Sequence, residues 1–265
     1  MERKINKIGL FPNNNEKSLS ILKKVKEEIK KYNFDIVENN YDLAIAIGGD
    51  GSFLRTVKTN NFNSDIYYVG INAGTLGFLQ EIKPEEIDDF FNKLNHNEFK
   101  VDEVGIQETK VISQTGENKL YSLNEIVVRD KDLNTVKLKI RIDDTLLEKY
   151  VGDGILVSTS VGSTAYNLSY GGSIVYNTFH TLQITPMAPL NSKSYRDLMN
   201  SVIIPDNMKI EIIPENKDIM ITVDGENYIY KDITSIETSV EKKRIKCLRL
   251  NNYNFIKIVN DKFLD

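Results

Sequence analysis

The chain has 265 residues, 40% hydrophobic and 27% charged, enough for one large domain or two modest ones around a real core. Its net charge of −4 excludes a nucleic-acid protein held by a general basic field. No apolar run is long enough for a membrane helix, the N-terminus at Met1-Glu2-Arg3-Lys4 lacks the long apolar core of a signal peptide, and the single Cys247 cannot form an internal disulfide. A cytoplasmic protein without membrane or nucleic-acid partners is therefore expected.

Strand and helix signals alternate at first. Ile8-Gly9-Leu10-Phe11 reads as a strand, and Asn15 as the cap of a helix whose Leu22, Val25, Ile29 and Tyr32 repeat at helical spacing. Phe34 to Val37, Leu43 to Ile47 and Ile66 to Ile71 read as further strands, and Pro84-Glu85-Glu86 opens a helix through Phe90, Phe91 and Leu94. This alternation predicts a mostly parallel sheet with crossover helices. Near Phe99 the pattern changes to short alternating runs: Thr109 to Ser113, Lys119 to Val128, Val136 to Ile142, Ile155 to Thr159, Met208 to Ile213 and Ile219 to Val223. These predict an antiparallel second domain with one helical insertion after Gly162. The last twenty-five residues carry more strand and a short tail, Cys247 reading as core. The expected division is 1–100 with 241–265, an α/β domain, and 101–240, a β-rich domain.

Four turns hold residues suited to chemistry. Gly48-Gly49-Asp50-Gly51 closes the buried run Leu43 to Ile47 and precedes a probable helix at Ser52-Phe53-Leu54. Such a strand end is where open α/β sheets bind ligands, and glycines let the backbone approach closely. Exposed amides there favour phosphate, whereas a carboxylate repels it, so Asp50 points to a hydroxyl or a metal ion. The plainer reading is that Asp50 only caps the helix. The second turn is Gly70-Ile71-Asn72-Ala73-Gly74-Thr75-Leu76-Gly77-Phe78-Leu79. The third is Asn124-Glu125, a polar pair inside a strand that needs partners if buried. The fourth is Gly152-Asp153-Gly154, followed by Ser158-Thr159-Ser160-Val161-Gly162-Ser163-Thr164-Ala165-Tyr166 and Leu168-Ser169-Tyr170-Gly171-Gly172. The spacing matches neither the dinucleotide fingerprint nor a P-loop. His96 and His180 stand alone and suggest no metal site or triad.

Taken in order, these turns resemble the NAD kinase family from about Leu43 to Asp224. The Gly-Gly-Asp-Gly element is shared with lipid kinases and phosphofructokinases; Asn124-Glu125 and Gly162 to Tyr166 single out NAD kinases. The resemblance implies a Rossmann-like N-terminal α/β domain and a β-sandwich-like C-terminal domain, with NAD bound between them. It implies phosphoryl transfer from ATP, with Mg²⁺, to the 2′-hydroxyl of the adenosine ribose, giving NADP and ADP. Asp50 then matches the catalytic aspartate, and Gly48, Gly49 and Gly51 would cradle ATP phosphates, Gly51 also lying against NAD. Asn124 and Glu125 match residues holding ribose and adenine, and Asp153 a carboxylate near the nicotinamide. Thr164, Ala165, Tyr166 and Ser169 match the segment lining the adenine and nicotinamide pockets. Ala188 matches a contact to a neighbouring protomer's NAD, within a homodimer or homotetramer. No protein metal ligands are assigned.

The sequence departs from the family at Val151, a dinucleotide-binding position often Arg, at Val161, at Leu190-Asn191 and at Glu226. Two other readings share the features: a lipid kinase with the same glycine turn, and an NAD(H)-sensing module that lost transfer.

Overall fold

The computed structural model describes residues 5–74, 77–192, 196–216, 218–250 and 252–264. Met1 to Lys4, and Thr75 and Leu76 of the second glycine turn, lie outside them. The chain forms two compact units, Met1–Val104 with Arg244–Asp265, and Gly105–Lys243.

The first unit begins with β1 (Lys7–Pro12), α1 (Glu16–Lys31), β2 (Asp35–Ile36), β3 (Leu43–Gly48), α2 (Asp50–Thr59) and β4 (Tyr67–Asn72). A 3-10 turn at Pro84–Glu86 leads into α3 (Ile87–Asn95). Asn15 does cap α1, its side chain accepting the Ser18 N–H. Val25 and Ile29, one helical turn apart, are fully buried, each worth roughly 1.5–3 kcal/mol. β1 pairs in parallel with β2 and β3, and β3 with β4. β3 and β4 are buried on both faces, which is why they read as continuous apolar runs. Where a longer strand was expected at Phe34 to Val37, only the exposed pair Asp35–Ile36 keeps the ladder.

The second unit is built from β5 (Lys100–Ser113), β6 (Gly116–Ser122), β7 (Glu125–Asp130), β8 (Val136–Ile142), β9 (Thr145–Gly152), β10 (Gly154–Thr159), β11 (Thr181–Met187), β12 (Val202–Pro205), β13 (Ile210–Pro214), β14 (Ile219–Val223), β15 (Glu226–Tyr230) and β16 (Ile233–Arg249), β5 starting and β16 ending in the first unit. One antiparallel sheet runs β12-β11-β10-β7-β14-β15. Facing it, β16, β13, β8 and β9 pair antiparallel in that order. Alternate residues of both layers, among them Ile126, Val157, Ile221, Leu138, Ile212 and Ile236, share one core. The helical insertion is a 3-10 turn, Val161–Thr164, and a single turn, α4 (Tyr166–Ser169).

Two further sequence expectations need correction. Lys119 to Val128 is not one strand: β6 and β7 separate at Leu123-Asn124, and Glu125 opens β7 instead of lying inside a strand. Second, the tail after β16 contains a helix, α5 (Phe255–Phe263), capped by the Asn254 side chain. The end of β16 pairs in parallel with β4. Cys247 is fully buried there, and burial pushes its thiol up to about 12. No described helix is long and apolar enough to cross a membrane.

Candidate active site

β3 delivers the glycine turn. Gly48 is required by packing, since a β-carbon on it would lie 2.2 Å from Ser52 Oγ. Gly49 and Gly51 are not: both are exposed, and a β-carbon on either meets nothing within 4 Å. Asp50, between them, is the first residue of α2, whose cap is Gly49 without a side-chain bond. The Asp50 carboxylate therefore does not cap its helix. It reaches the loop after β4, accepting the Phe78 N–H at Oδ2 (3.0 Å) and the Leu79 N–H at Oδ1 (2.9 Å). Gln80 Nε2 returns the clamp by donating to the Gly49 carbonyl at 2.7 Å. The first two motifs are thus one physical object, a carboxylate held by a second glycine loop. Lys262, on α5, places Nζ 3.5 Å from Asp50 Oδ2. The sequence alone does not point to it, because this stretch reads as a short tail.

A second cluster lies in the other unit. Asn124 and Glu125 are both buried. The Asp224 carboxylate fixes them by accepting the N–H groups of Leu123 (2.8 Å), Asn124 (2.9 Å) and Glu125 (3.2 Å). Gly162 packs so tightly on this turn that a β-carbon would lie 2.1 Å from the Asn124 carbonyl oxygen. That contact is the local reason for the glycine in Gly162 to Tyr166. Burial, followed by the nearby Asp224, pushes the Glu125 carboxyl up to about 8, against a backbone hydrogen bond from Tyr166. Its Oε2 is buried without a hydrogen-bond partner, an arrangement that is rare for a buried polar atom.

Tyr166 is exposed and ordered by neighbours. Arg129 Nη2 donates to its hydroxyl at 2.8 Å and to that of Tyr170 at 3.1 Å, and the two rings meet edge to face at 5.1 Å. Arg129 also reaches Met187 Sδ at 3.6 Å. The sequence does not single it out, because it reads as an ordinary polar strand position. Thr164 and Ala165 are half-buried beside Tyr166, and Ser169 is exposed.

Val151, Asp153 and Ala188 meet at the turn between β9 and β10. The Asp153 N–H donates to the Met187 carbonyl (2.9 Å), and the Leu190 N–H to that of Val151 (2.8 Å). Asp153 and Ala188 are exposed, Ala188 at a φ of +47°. Val151 is 6% exposed, its N–H donating to Asp197 Oδ2 at 3.1 Å. Among the described residues, no three His, Cys, Asp or Glu gather as a metal site.

Two family profiles match the chain: ATP-NAD kinase N-terminal domain over residues 2–99, and ATP-NAD kinase C-terminal domain over residues 123–246. Among similar curated proteins, the NAD kinase of Finegoldia magna is 38% identical over 97% of both chains. The NAD kinase of Streptococcus pneumoniae is 32% identical, covering 97% of this chain and 96% of its own. Yeast NADH kinase, solved with NADH, has the same fold, with a TM-score of 0.84 at 22% identity over 99% of this chain and 88% of its own. Full-length likeness to curated relatives, matches to both domain profiles and the clamped Asp50 turn agree, and the chain belongs to the NAD kinase family.

Proposed function

We propose that this chain is an ATP-dependent NAD kinase, transferring the γ-phosphoryl group of ATP to the 2′-hydroxyl of the adenosine ribose of NAD. The observation that carries this reading is the pair Gly49 and Gly51. Their own packing does not require glycine, yet they flank an anchored carboxylate at a strand end with open space beside them. A ligand approaching the backbone closely supplies the missing reason.

The roles follow from chemistry. The ribose 2′-oxygen attacks the γ-phosphorus, the bond to the β–γ bridging oxygen breaks, ADP leaves, and the hydroxyl proton passes to Asp50. Such a transfer needs mainly positioning and neutralised charge. The Phe78 and Leu79 N–H groups fix the Asp50 carboxylate and leave it lone pairs for the hydroxyl. Gly48, Gly49 and Gly51 are assigned to the phosphates. With one carboxylate at the turn, Mg²⁺ is assigned to the ATP phosphates and enters as MgATP. Asn124 and Glu125 take the ribose and adenine, with a protonated Glu125 able to donate. Tyr166 offers a ring face, helped by Thr164, Ala165 and Ser169, while Asp153 lies toward the nicotinamide. Val151, its side chain buried and its N–H held by Asp197, is assigned only to the wall beneath the dinucleotide. We propose a cytoplasmic homodimer or homotetramer in which Ala188 faces a neighbouring protomer's NAD.

The test is purified protein with NAD, ATP and Mg²⁺, followed by an NADP-specific dehydrogenase. NADP formation dependent on all three is expected. Absence of NADP would overturn the reading.

A further inference from the structure

The glycine turn poses an electrostatic difficulty. It offers backbone donors to a triphosphate and sets a carboxylate among them. At a few ångströms, like charges repel substantially, and partial burial strengthens this. Something must offset Asp50 when ATP approaches.

α5 supplies a cation at that point. Lys262 Nζ is 3.5 Å from Asp50 Oδ2, and both side chains keep about a third of their surface, 31% and 29%, so a ligand can reach them. The position of Lys262 is built, not incidental. Its ammonium lies 4.6 Å over the Phe78 ring, a geometry that attracts a cation. Phe78 is buried and packs against Phe255 at 6.0 Å and Phe263 at 5.5 Å, fixing both ends of α5 to the loop whose N–H groups hold Asp50. The neighbouring Asp261 is engaged by Lys257 at 3.0 Å, on α5 itself.

We propose that Lys262 is a positioning residue for phosphoryl transfer: it offsets the charge of Asp50 so that the triphosphate can settle on the glycine turn. α5 is then part of the donor-nucleotide site. This rests on the NAD kinase reading above. Lys262 acts on the approach of ATP and leaves NAD alone.

The experiment compares wild type, Lys262→Met and Lys262→Arg. Methionine keeps an apolar stem on Phe78, and arginine keeps the charge. Lys262→Met is expected to raise the KM for MgATP about tenfold with that for NAD changed less than about twofold, a split that a general folding defect does not give. The rise should shrink as salt is added, since the pair is partly exposed. Lys262→Arg should recover most of the loss. An unchanged KM for MgATP, equal rises for both substrates, or failure of arginine to rescue would each overturn the proposal. If Lys262→Met does not fold, Lys262→Gln is read by the same criteria. If the wild type makes no NADP, the kinase reading fails separately, and calorimetric binding of MgATP decides the Lys262 proposal. About tenfold weaker binding in the methionine variant supports it, and equal affinity overturns it.

Discussion

Gly77 lies so close to Asp50 that a β-carbon on it would sit 2.2 Å from the Asp50 Oδ1. The second glycine motif therefore exists partly to let a backbone loop close over the carboxylate of the first. Gly77→Ala must displace either Asp50 or the Phe78 and Leu79 donors. We expect kcat to fall roughly 10²-fold, the usual result of an ångström-scale misplacement at a reacting group. Overpacking should cost about 1–3 kcal/mol of stability. Steady-state kinetics and urea melts of the same preparation check both.

Tyr166 is held by Arg129 and Tyr170 within its own unit. Base–aromatic stacking is worth about 1–3 kcal/mol, so Tyr166→Ala should raise the KM for NAD about tenfold or more. The KM for ATP should move much less. Equal rises would mean that the substitution loosened the fold instead.

Glu125 carries a pH signature. Burial raises its pKa from 4.5 to about 8 in the folded chain. Between those values the unfolded chain has released the proton and the folded chain retains it. Stability relative to Glu125→Gln is therefore greatest below pH 4.5, falls as pH rises through the window, and levels off above about 8. The slope should be at most about 1.4 kcal/mol per pH unit. Denaturant titrations of both proteins at pH 5, 6, 7 and 8 would reveal it; parallel curves would show that Glu125 is ionised throughout.

Arg249 ties the end of β16 to its surroundings. It is 4% exposed and pairs with Glu81 at 3.3 Å and Asp102 at 3.1 Å. Its guanidinium also covers the Tyr253 ring at 4.6 Å, just before α5. Arg249→Leu leaves two carboxylates without their cation and is expected to destabilise by about 3–5 kcal/mol. Chemical denaturation measures this directly.

The sequence was most informative where chemistry and backbone geometry coincide. The buried runs of β3 and β4 and the glycines of the Asp50 turn leave local marks, and so does Asn15, whose side chain does cap its helix. The break at Leu123-Asn124 is harder to read, because Asn124-Glu125 looks like a polar pair within one β-rich run, while the chain changes sheet there. α5 was also obscured: Ile256, Lys257 and Ile258 alternate as a strand would, and only the tertiary contacts of Phe255 and Phe263 with Phe78 make them helical partners of the loop. Arg129 and Lys262 were invisible for a related reason: each gains its meaning from residues distant in sequence. Val151 drew notice as a departure from the family, but its burial in β9 is a property of the sheet and cannot be read from one position.

The central claim is transfer of a phosphoryl group to the ribose 2′-hydroxyl with Asp50 taking the proton. Asparagine at this position is not structurally neutral. Both carboxylate oxygens accept backbone N–H groups, and an amide satisfies only one, at about 1–3 kcal/mol. The decisive measurement is therefore phosphorus NMR of the product from wild type and from Asp50→Asn that is verified as folded. The wild type should yield a new 2′-phosphomonoester on the adenosine ribose of NAD with matching ADP, and the variant should form it about 10²–10⁴-fold more slowly. A phosphate on any other hydroxyl, or undiminished turnover in the variant, would contradict the account.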